Sequence, residues 1–82
     1  MTVRIGDGGT IMLEGACPIE DAEPLLRHVL ASPEAAVDWR GCDGAHTAVV
    51  QVLMASGARL VGPPRSEVLR KLVEPALVLA RR

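Results

Sequence analysis

The amino-acid sequence predicts an α/β fold, in which a four-stranded mixed β-sheet with one hairpin carries helices packed on it. Two observations predict this class. Short apolar segments suited to strands alternate with longer segments whose apolar residues recur at helical spacing. In addition, two strand-like segments joined by a Gly/Asp run open the chain, whereas each later strand follows a helix and is therefore expected to pair in parallel. The predicted order is β-β-α-β-α-β-α.

The first two predicted strands are Met1–Ile5 and Thr10–Gly15. In the first of them, Val3 and Ile5 alternate with polar residues, which is the period of a half-buried strand. The run Gly6–Gly9 between the strands favours a turn, so the two strands are expected to form an antiparallel hairpin.

The acidic residues Glu20, Asp21 and Glu23 predict the start of the first helix, because negative charge is favourable at a helix N-terminus. With Asp21 as N-cap, Pro24 falls in the first turn, where its missing N–H costs little. The helix is predicted to end at Ser32 and Pro33, since the residue before a proline is driven out of helical geometry. Its predicted apolar stripe consists of Leu25, Leu26, Val29 and Leu30. Arg27 and His28 are expected to point outward.

The third predicted strand, Ala36–Trp39, is apolar and is expected to lie in the interior of the sheet with Val37 buried. Trp39 has two interpretations, a core residue or an anchor for a protein partner, since Trp is enriched at binding hot spots. Asp38 is expected either to face solvent or to cap the following corner. The segment Arg40–Ala45 contains two glycines and two charged residues, which predicts a turn.

The second predicted helix opens near His46 and Thr47 and ends at Gly57, a typical C-terminal cap residue. A strand that turns into a helix leaves unpaired N–H groups at the positive end of the helix dipole, and such a corner favours anions. Thr47 is therefore either the N-cap of this helix or a position for a phosphate. The residues assigned to the core are Val49, Val52 and Leu53, while Val50 and Met54 widen the apolar stripe beyond what one core face needs.

The last predicted elements are a short strand, Arg59–Gly62, and a helix with Ser66 as N-cap. Pro75 is expected to end or kink this helix. The segment Ala76–Ala80 fits either a last helical turn or a short edge strand, and we assign it to helix.

Composition limits the classes of function. The chain has 82 residues and is expected to form a single domain, residues 1–82. Its net charge is −1 and its basic residues are dispersed, which argues against a nucleic-acid partner. No apolar run reaches the roughly 18 residues that a membrane helix needs, and no signal-peptide pattern opens the sequence. We therefore expect a cytoplasmic protein without direct membrane insertion.

The sequence offers little support for catalysis or for a bound metal. Cys17 and Cys42 are too few for a disulfide framework, and both are interpreted as small apolar residues or free thiols. Cys42, Asp43 and His46 suggest a metal site, with Cys17 as a further ligand, but the paired spacing of structural zinc ligands is absent. No paired carboxylates, catalytic triad or cofactor fingerprint is found, so we expect no enzyme, no cofactor and no metal.

A series of short motifs occurs in a characteristic order: Leu13-Glu14-Gly15, the acidic helix start Ile19–Glu23, Val37-Asp38-Trp39, Thr47–Ala55 with its Gln51-Val52-Leu53, and Gly62 before the helix from Ser66. Over roughly residues 10–77 the chain thereby resembles the STAS domain, the fold shared by anti-sigma-factor antagonists and the cytosolic tails of sulphate transporters. The resemblance implies that Thr47 is a phosphoacceptor for a partner kinase. In that family the preceding residue is commonly Asp, whereas here it is His46.

The resemblance implies a non-enzymatic regulatory module that binds an anti-sigma-factor or kinase-like ATPase, or another signalling component, through the corner at residues 43–54. The expected contact residues are Asp43, His46, Thr47, Val50 and Met54. The alternative is a constitutive STAS subunit of a lipid-transport ATPase or signalling assembly, which has no phosphate switch. A third class, a small-molecule or metal-binding domain, would use the loop from Cys42 to His46.

Overall fold

One mixed sheet is the centre of the computed structural model, which describes residues 2–80. Its described strands are β1 (Val3–Ile5), β2 (Ile11–Cys17), β3 (Val37–Ala45) and β4 (Leu60–Val61), and they lie side by side in that order. The first two pair antiparallel, and the other neighbours pair parallel. The predicted fold class, with its mixed sheet and single hairpin, is confirmed.

The hairpin turn between β1 and β2 contains a short 3-10 helix, Asp7–Gly9. Gly8 and Gly9 have φ angles of 72° and 82°, values that residues other than glycine rarely adopt, which explains the two consecutive glycines. The alternation predicted for the first strand holds only in part, because Val3 is buried but Ile5 is 48% exposed. Met1, which was included in the predicted strand, lies outside the described residues.

The predicted turn at Arg40–Ala45 is wrong, because β3 continues as a strand to Ala45. Its backbone stays paired with an equally extended β2, and Cys17 lies opposite Ala45. Two register shifts interrupt this pairing, and Gly15 next to one of them has a φ of 74°. Gly41 and Gly44, which favour a turn in the sequence, lie beside these shifts, opposite Glu14 and Ala16 of β2.

Two helices cross over the same face of the sheet: α1 (Ala22–Ala31) and α2 (Thr47–Ser56). They pack against each other, and α2 also contacts the last helix, so the helices form one layer. The predicted ends are confirmed: α1 stops at Ser32, and α2 stops at Gly57, whose φ of 64° is left-handed.

The stripe predicted on α1 is only half buried. Leu25 and Val29 enter the core, whereas Leu26 and Leu30 are 42% and 69% exposed. The two pairs lie about 100° apart around the helix, and only the first pair faces the sheet. Asp21 precedes α1 as predicted, but its side chain makes no capping hydrogen bond, because residues Ile19–Asp21 already form a 3-10 turn that leads into the helix.

The final helical segment runs from residue 67 to 80 and includes a π-helical stretch (Leu69–Val73) followed by α3 (Glu74–Ala80). Ser66 caps its start, accepting the Leu69 N–H at 3.3 Å, as predicted. Pro75 does not end the helix, because the wide turn just before it relieves the clash that a proline makes with the carbonyl four residues earlier. The assignment of Ala76–Ala80 to helix is confirmed.

The core lies between the sheet and the helix layer. Val37, Leu53 and Trp39 are fully buried there, which confirms the interior position of the third strand and assigns Trp39 to the core. The opposite sheet face carries Asp38, which neither faces solvent nor caps the corner. Its carboxylate is 7% exposed and accepts hydrogen bonds from the Arg40 guanidinium on both oxygens, with 2.7 Å between Arg40 Nη2 and Asp38 Oδ2.

Along residues 2–80, none of the helices combines the length and apolar character required to cross a membrane.

Candidate functional site

The candidate site is the corner where β3 meets α2, and a single residue, His46, connects the two elements. The backbone N–H of His46 donates to the carbonyl of Cys17, at 2.9 Å. The end of β2 therefore fixes the position at which α2 begins.

His46, and not Thr47, is the N-cap of α2. Its backbone is extended (φ −62°, ψ 150°), and its imidazole Nδ1 accepts the N–H of Ala48 at 3.0 Å. This role requires an unprotonated Nδ1, because only the lone pair can accept a hydrogen bond. The interpretation of Thr47 as the cap is wrong, since sheet pairing continues to Ala45 and places His46 in the extended position that an N-cap occupies.

Thr47 is the first residue of α2, and it is exposed. Because the imidazole of His46 performs the capping, the hydroxyl of Thr47 is not committed to the helix end. The Ala48 N–H is occupied by His46, so the corner offers fewer unpaired N–H groups to an anion than the sequence suggested. The electrostatic preference of a helix N-terminus for negative charge remains.

Three of the predicted contact residues share one flank of α2, because Thr47, Val50 and Met54 are spaced by three and four positions. Thr47 and Met54 are exposed, the latter by 47%. Val50 is half-buried and packs against the core, so the expectation that it is surplus to the core is only partly met. Ala48, Val52 and Ala55 lie on the other flank, where they line a shallow cleft with Leu26 and Glu23 of α1.

Asp43 is exposed at the end of β3, and it makes an ion pair with Arg65, with 3.4 Å between Arg65 Nη1 and Asp43 Oδ1. The backbone N–H groups of Arg65 and Ser66 both donate to the carbonyl of Cys42, each at 3.1 Å. The loop before the last helix is thus fastened to the corner. Arg65 was not among the predicted residues, and no local pattern relates it to Asp43, which lies 22 positions earlier.

Two cysteines lie directly beneath the corner. The Sγ atoms of Cys17 and Cys42 are 3.9 Å apart, both residues are buried, and neither takes part in a disulfide. Cys42 Sγ also lies 3.2 Å from the carbonyl oxygen of Gly44. The hydrogen bond between the two sulfurs raises the pKa of Cys17, as does burial, and it lowers the pKa of Cys42.

The structure does not bring the suggested metal ligands together. The side chain of Cys42 lies in the core, whereas His46 is exposed and its Nδ1 is used by Ala48. Within residues 2–80, no group of three or more His, Cys, Asp or Glu side chains is arranged to hold a metal ion.

The open sheet face carries a second polar feature, a cleft of about 350 Å³ whose lining includes Arg4, Asp38 and Arg40. Arg4 pairs with Glu14 at 2.7 Å. The hydrogen bonds from these guanidinium groups lower the pKa of Glu14 and of Asp38. Each of these two guanidinium groups is paired with a carboxylate, and the carboxylate of Asp7 also lines the cleft.

Comparisons with protein-family models, with curated proteins and with solved structures found no match for this chain. The resemblance to STAS domains therefore stays a prediction from sequence.

Proposed function

We propose that the chain is a non-enzymatic regulatory module of the anti-sigma-factor-antagonist type. In this proposal it binds a kinase-like or other signalling protein through the corner formed by Asp43, His46, Thr47, Val50 and Met54. Phosphorylation of Thr47 switches that binding.

The observation that carries the proposal is the division of roles between His46 and Thr47. The imidazole of His46 caps the helix, so a modification of Thr47 removes no capping hydrogen bond. The hydroxyl is exposed on the first turn of a ten-residue helix, where a kinase has access to it. This arrangement supports a phosphoacceptor over a purely structural threonine.

The effect of a phosphate follows from its charge and position. Phosphorylation adds about −1.5 to −2 charges at pH 7. At the N-terminus of α2 this charge interacts favourably with the helix dipole, so the domain is expected to stay folded. A partner that packs against Met54 and Val50 would instead meet a strongly hydrated anion, which is costly to bury without a counter-charge. Phosphorylation is therefore expected to weaken binding and to leave the fold intact.

The test begins with capture of a partner by the wild-type protein under crosslinking and identification of that partner. The purified pair is then titrated calorimetrically with wild type, Thr47→Ala and Thr47→Glu. We expect Thr47→Ala to bind like wild type and Thr47→Glu to lose binding by tenfold or more, with unchanged circular dichroism for both.

Ala31→Glu is the charge-matched control. Ala31 is exposed at the end of α1, at the end of the sheet where β3 begins and opposite the corner where β3 ends. We expect Ala31→Glu to retain binding. If Thr47→Glu and Thr47→Ala bind equally well, the phosphate switch is wrong, and the constitutive subunit of a transport or signalling assembly becomes the better description. If Val50→Asp also leaves binding unchanged, the corner is not the binding surface.

A further inference from the structure

The buried pair Cys17 and Cys42 has no role in the proposed function. The two sulfurs are 3.9 Å apart inside the hydrophobic core, so the thiols are in direct van der Waals contact. The pair is produced by the parallel register of β2 and β3, in which Gly15 lies opposite Cys42 and Cys17 lies opposite Ala45. Both side chains point towards the helix layer and away from the open sheet face.

The local backbone can let β2 and β3 move slightly closer together at the two cysteines. A register shift separates Gly15 from Ala16, and β3 carries Gly41 and Gly44 on either side of Cys42 and Asp43. A Cβ added at Gly44 would meet no atom within 4 Å, so space is available around this segment. A disulfide requires the sulfurs to approach to about 2.05 Å. The approach also requires Cys42 to give up its contact with the Gly44 carbonyl oxygen.

We propose that Cys17 and Cys42 form a reversible intramolecular disulfide, and that this bond shifts the backbone that supports the N-terminus of α2. With hydrogen peroxide as the oxidant, the Cys42 sulfur takes one peroxide oxygen to give a sulfenic acid and water. The Cys17 sulfur then displaces that oxygen as a second water, so two thiols and one peroxide give one disulfide and two waters. The sulfurs lose two electrons to the peroxide, and a small dithiol reverses the step.

The direction of this chemistry agrees with the electrostatics of the pair. The hydrogen bond between the two sulfurs, in which either sulfur can be the donor, lowers the pKa of Cys42 and raises that of Cys17, so Cys42 is the first to form a thiolate. The thiolate is the nucleophile in oxidation and in exchange. Since both thiols are buried, the oxidant reaches them through local opening of the strand ends, and we expect oxidation to be slow in the folded protein.

The link to the corner runs through two backbone carbonyls. The Cys17 carbonyl accepts the N–H of His46 at 2.9 Å, and the Cys42 carbonyl accepts the N–H groups of Arg65 and Ser66. Drawing the two cysteines together therefore displaces the acceptors that hold the α2 cap and the loop before the last helix. A consequence for partner binding rests on the proposed function, whereas the bond and the displacement do not.

The first experiment detects the bond. The full chain is exposed to hydrogen peroxide or to diamide, and its thiols are counted in denaturant, with intact mass and non-reducing peptide mapping. We expect loss of both thiols, a mass lower by two hydrogen atoms, a linked peptide pair containing Cys17 and Cys42, and recovery with dithiothreitol. Cys17→Ala and Cys42→Ala, verified as folded by circular dichroism, are expected to give no intramolecular link. Retention of both thiols after exposure long enough for local opening to exchange the Cys17 and Cys42 amides, or oxidation of one cysteine to sulfinic acid, would overturn the proposal.

The second experiment follows the backbone by amide hydrogen exchange in reduced and oxidised protein. We expect the exchange rates of the His46, Arg65 and Ser66 amides to change by roughly tenfold, since each donates to a cysteine carbonyl. The amide of Gly6, which donates to Thr10 at 2.7 Å in the hairpin, is the internal control and is expected to keep its rate. If the disulfide forms while the three corner amides keep their rates, the coupling to the corner is wrong. Neither experiment uses a binding partner, so their outcome is separate from that of the proposed function.

Discussion

The contact between Gly62 and Trp39 gives a prediction whose size follows directly from the structure. A Cβ placed on Gly62 would lie 2.6 Å from Trp39 Nε1 and 3.1 Å from Trp39 Cδ1. It would also lie 2.9 Å from Glu74 Oε2. Ordinary van der Waals contacts between such atoms are about 3.5–4.0 Å. The substitution Gly62→Ala therefore requires one of these neighbours to move.

The two neighbours differ in how far they yield. Glu74 Oε2 is the end of a flexible side chain that is only half-buried, so it can swing away. Trp39 is fully buried between the sheet and the helices, and its ring has no such freedom. Adding a methyl group to a packed core typically costs about 1–3 kcal/mol. We expect Gly62→Ala to reduce the free energy of unfolding by that amount, which lowers Tm by roughly 4 °C or more in a domain of this size.

Urea unfolding, followed by tryptophan fluorescence, measures this effect well, because Trp39 is the single tryptophan in the chain. Gly44→Ala is the matched control, since a Cβ on Gly44 meets no atom within 4 Å. We expect the control to unfold near the wild-type midpoint. A Gly62→Ala protein as stable as wild type, or a Gly44→Ala protein destabilised by the same amount, would refute the packing argument.

Two further substitutions test the electrostatics and the helix cap. The ion pair with Arg40 lowers the pKa of Asp38 in the folded protein. The stabilisation that this pair gives the fold is therefore fully present above the unfolded-state pKa of about 3.9, and it is lost as pH falls through the lower folded-state pKa. We therefore expect the urea midpoint of Asp38→Asn to fall less than that of wild type as the pH is lowered below about 4. For the cap, His46→Ala should cost about 1 kcal/mol and Thr47→Ala much less, and equal losses in thermal unfolding would contradict the assignment of His46 as N-cap.

The sequence predicted the order and type of the elements because their signals are local. Apolar alternation, helical spacing and punctuation by Gly57 and by Ser32 with Pro33 each depend on a few neighbouring residues. The interior position of the third strand, with Val37 buried, followed from the order of the elements, and the structure confirms it.

The errors arose where a distant segment decides the local structure. The residues from Arg40 to Ala45 have the composition of a turn, but backbone pairing with β2 holds them as a strand. Leu26 and Leu30 fit the apolar period of α1, yet the sheet lies under the other side of the helix. Of the two effects predicted for Pro75, ending the helix is wrong, because a π-helical stretch precedes the proline and the helix continues through it.

The identity of the cap is the error that matters most for the candidate site, and it has the same origin. Side-chain preference favours Thr over His as an N-cap. The register of β2 and β3 overrides that preference, because pairing of Cys17 with Ala45 makes His46 the first residue beyond the sheet and binds its N–H to the Cys17 carbonyl. Thr47 then enters the helix and its hydroxyl is left to solvent. The same register places Cys17 beside Cys42, so the exposed hydroxyl and the buried thiols are two consequences of one strand pairing. A change in the pairing of β2 with β3 would therefore alter both the exposure of the Thr47 hydroxyl and the contact between Cys17 and Cys42.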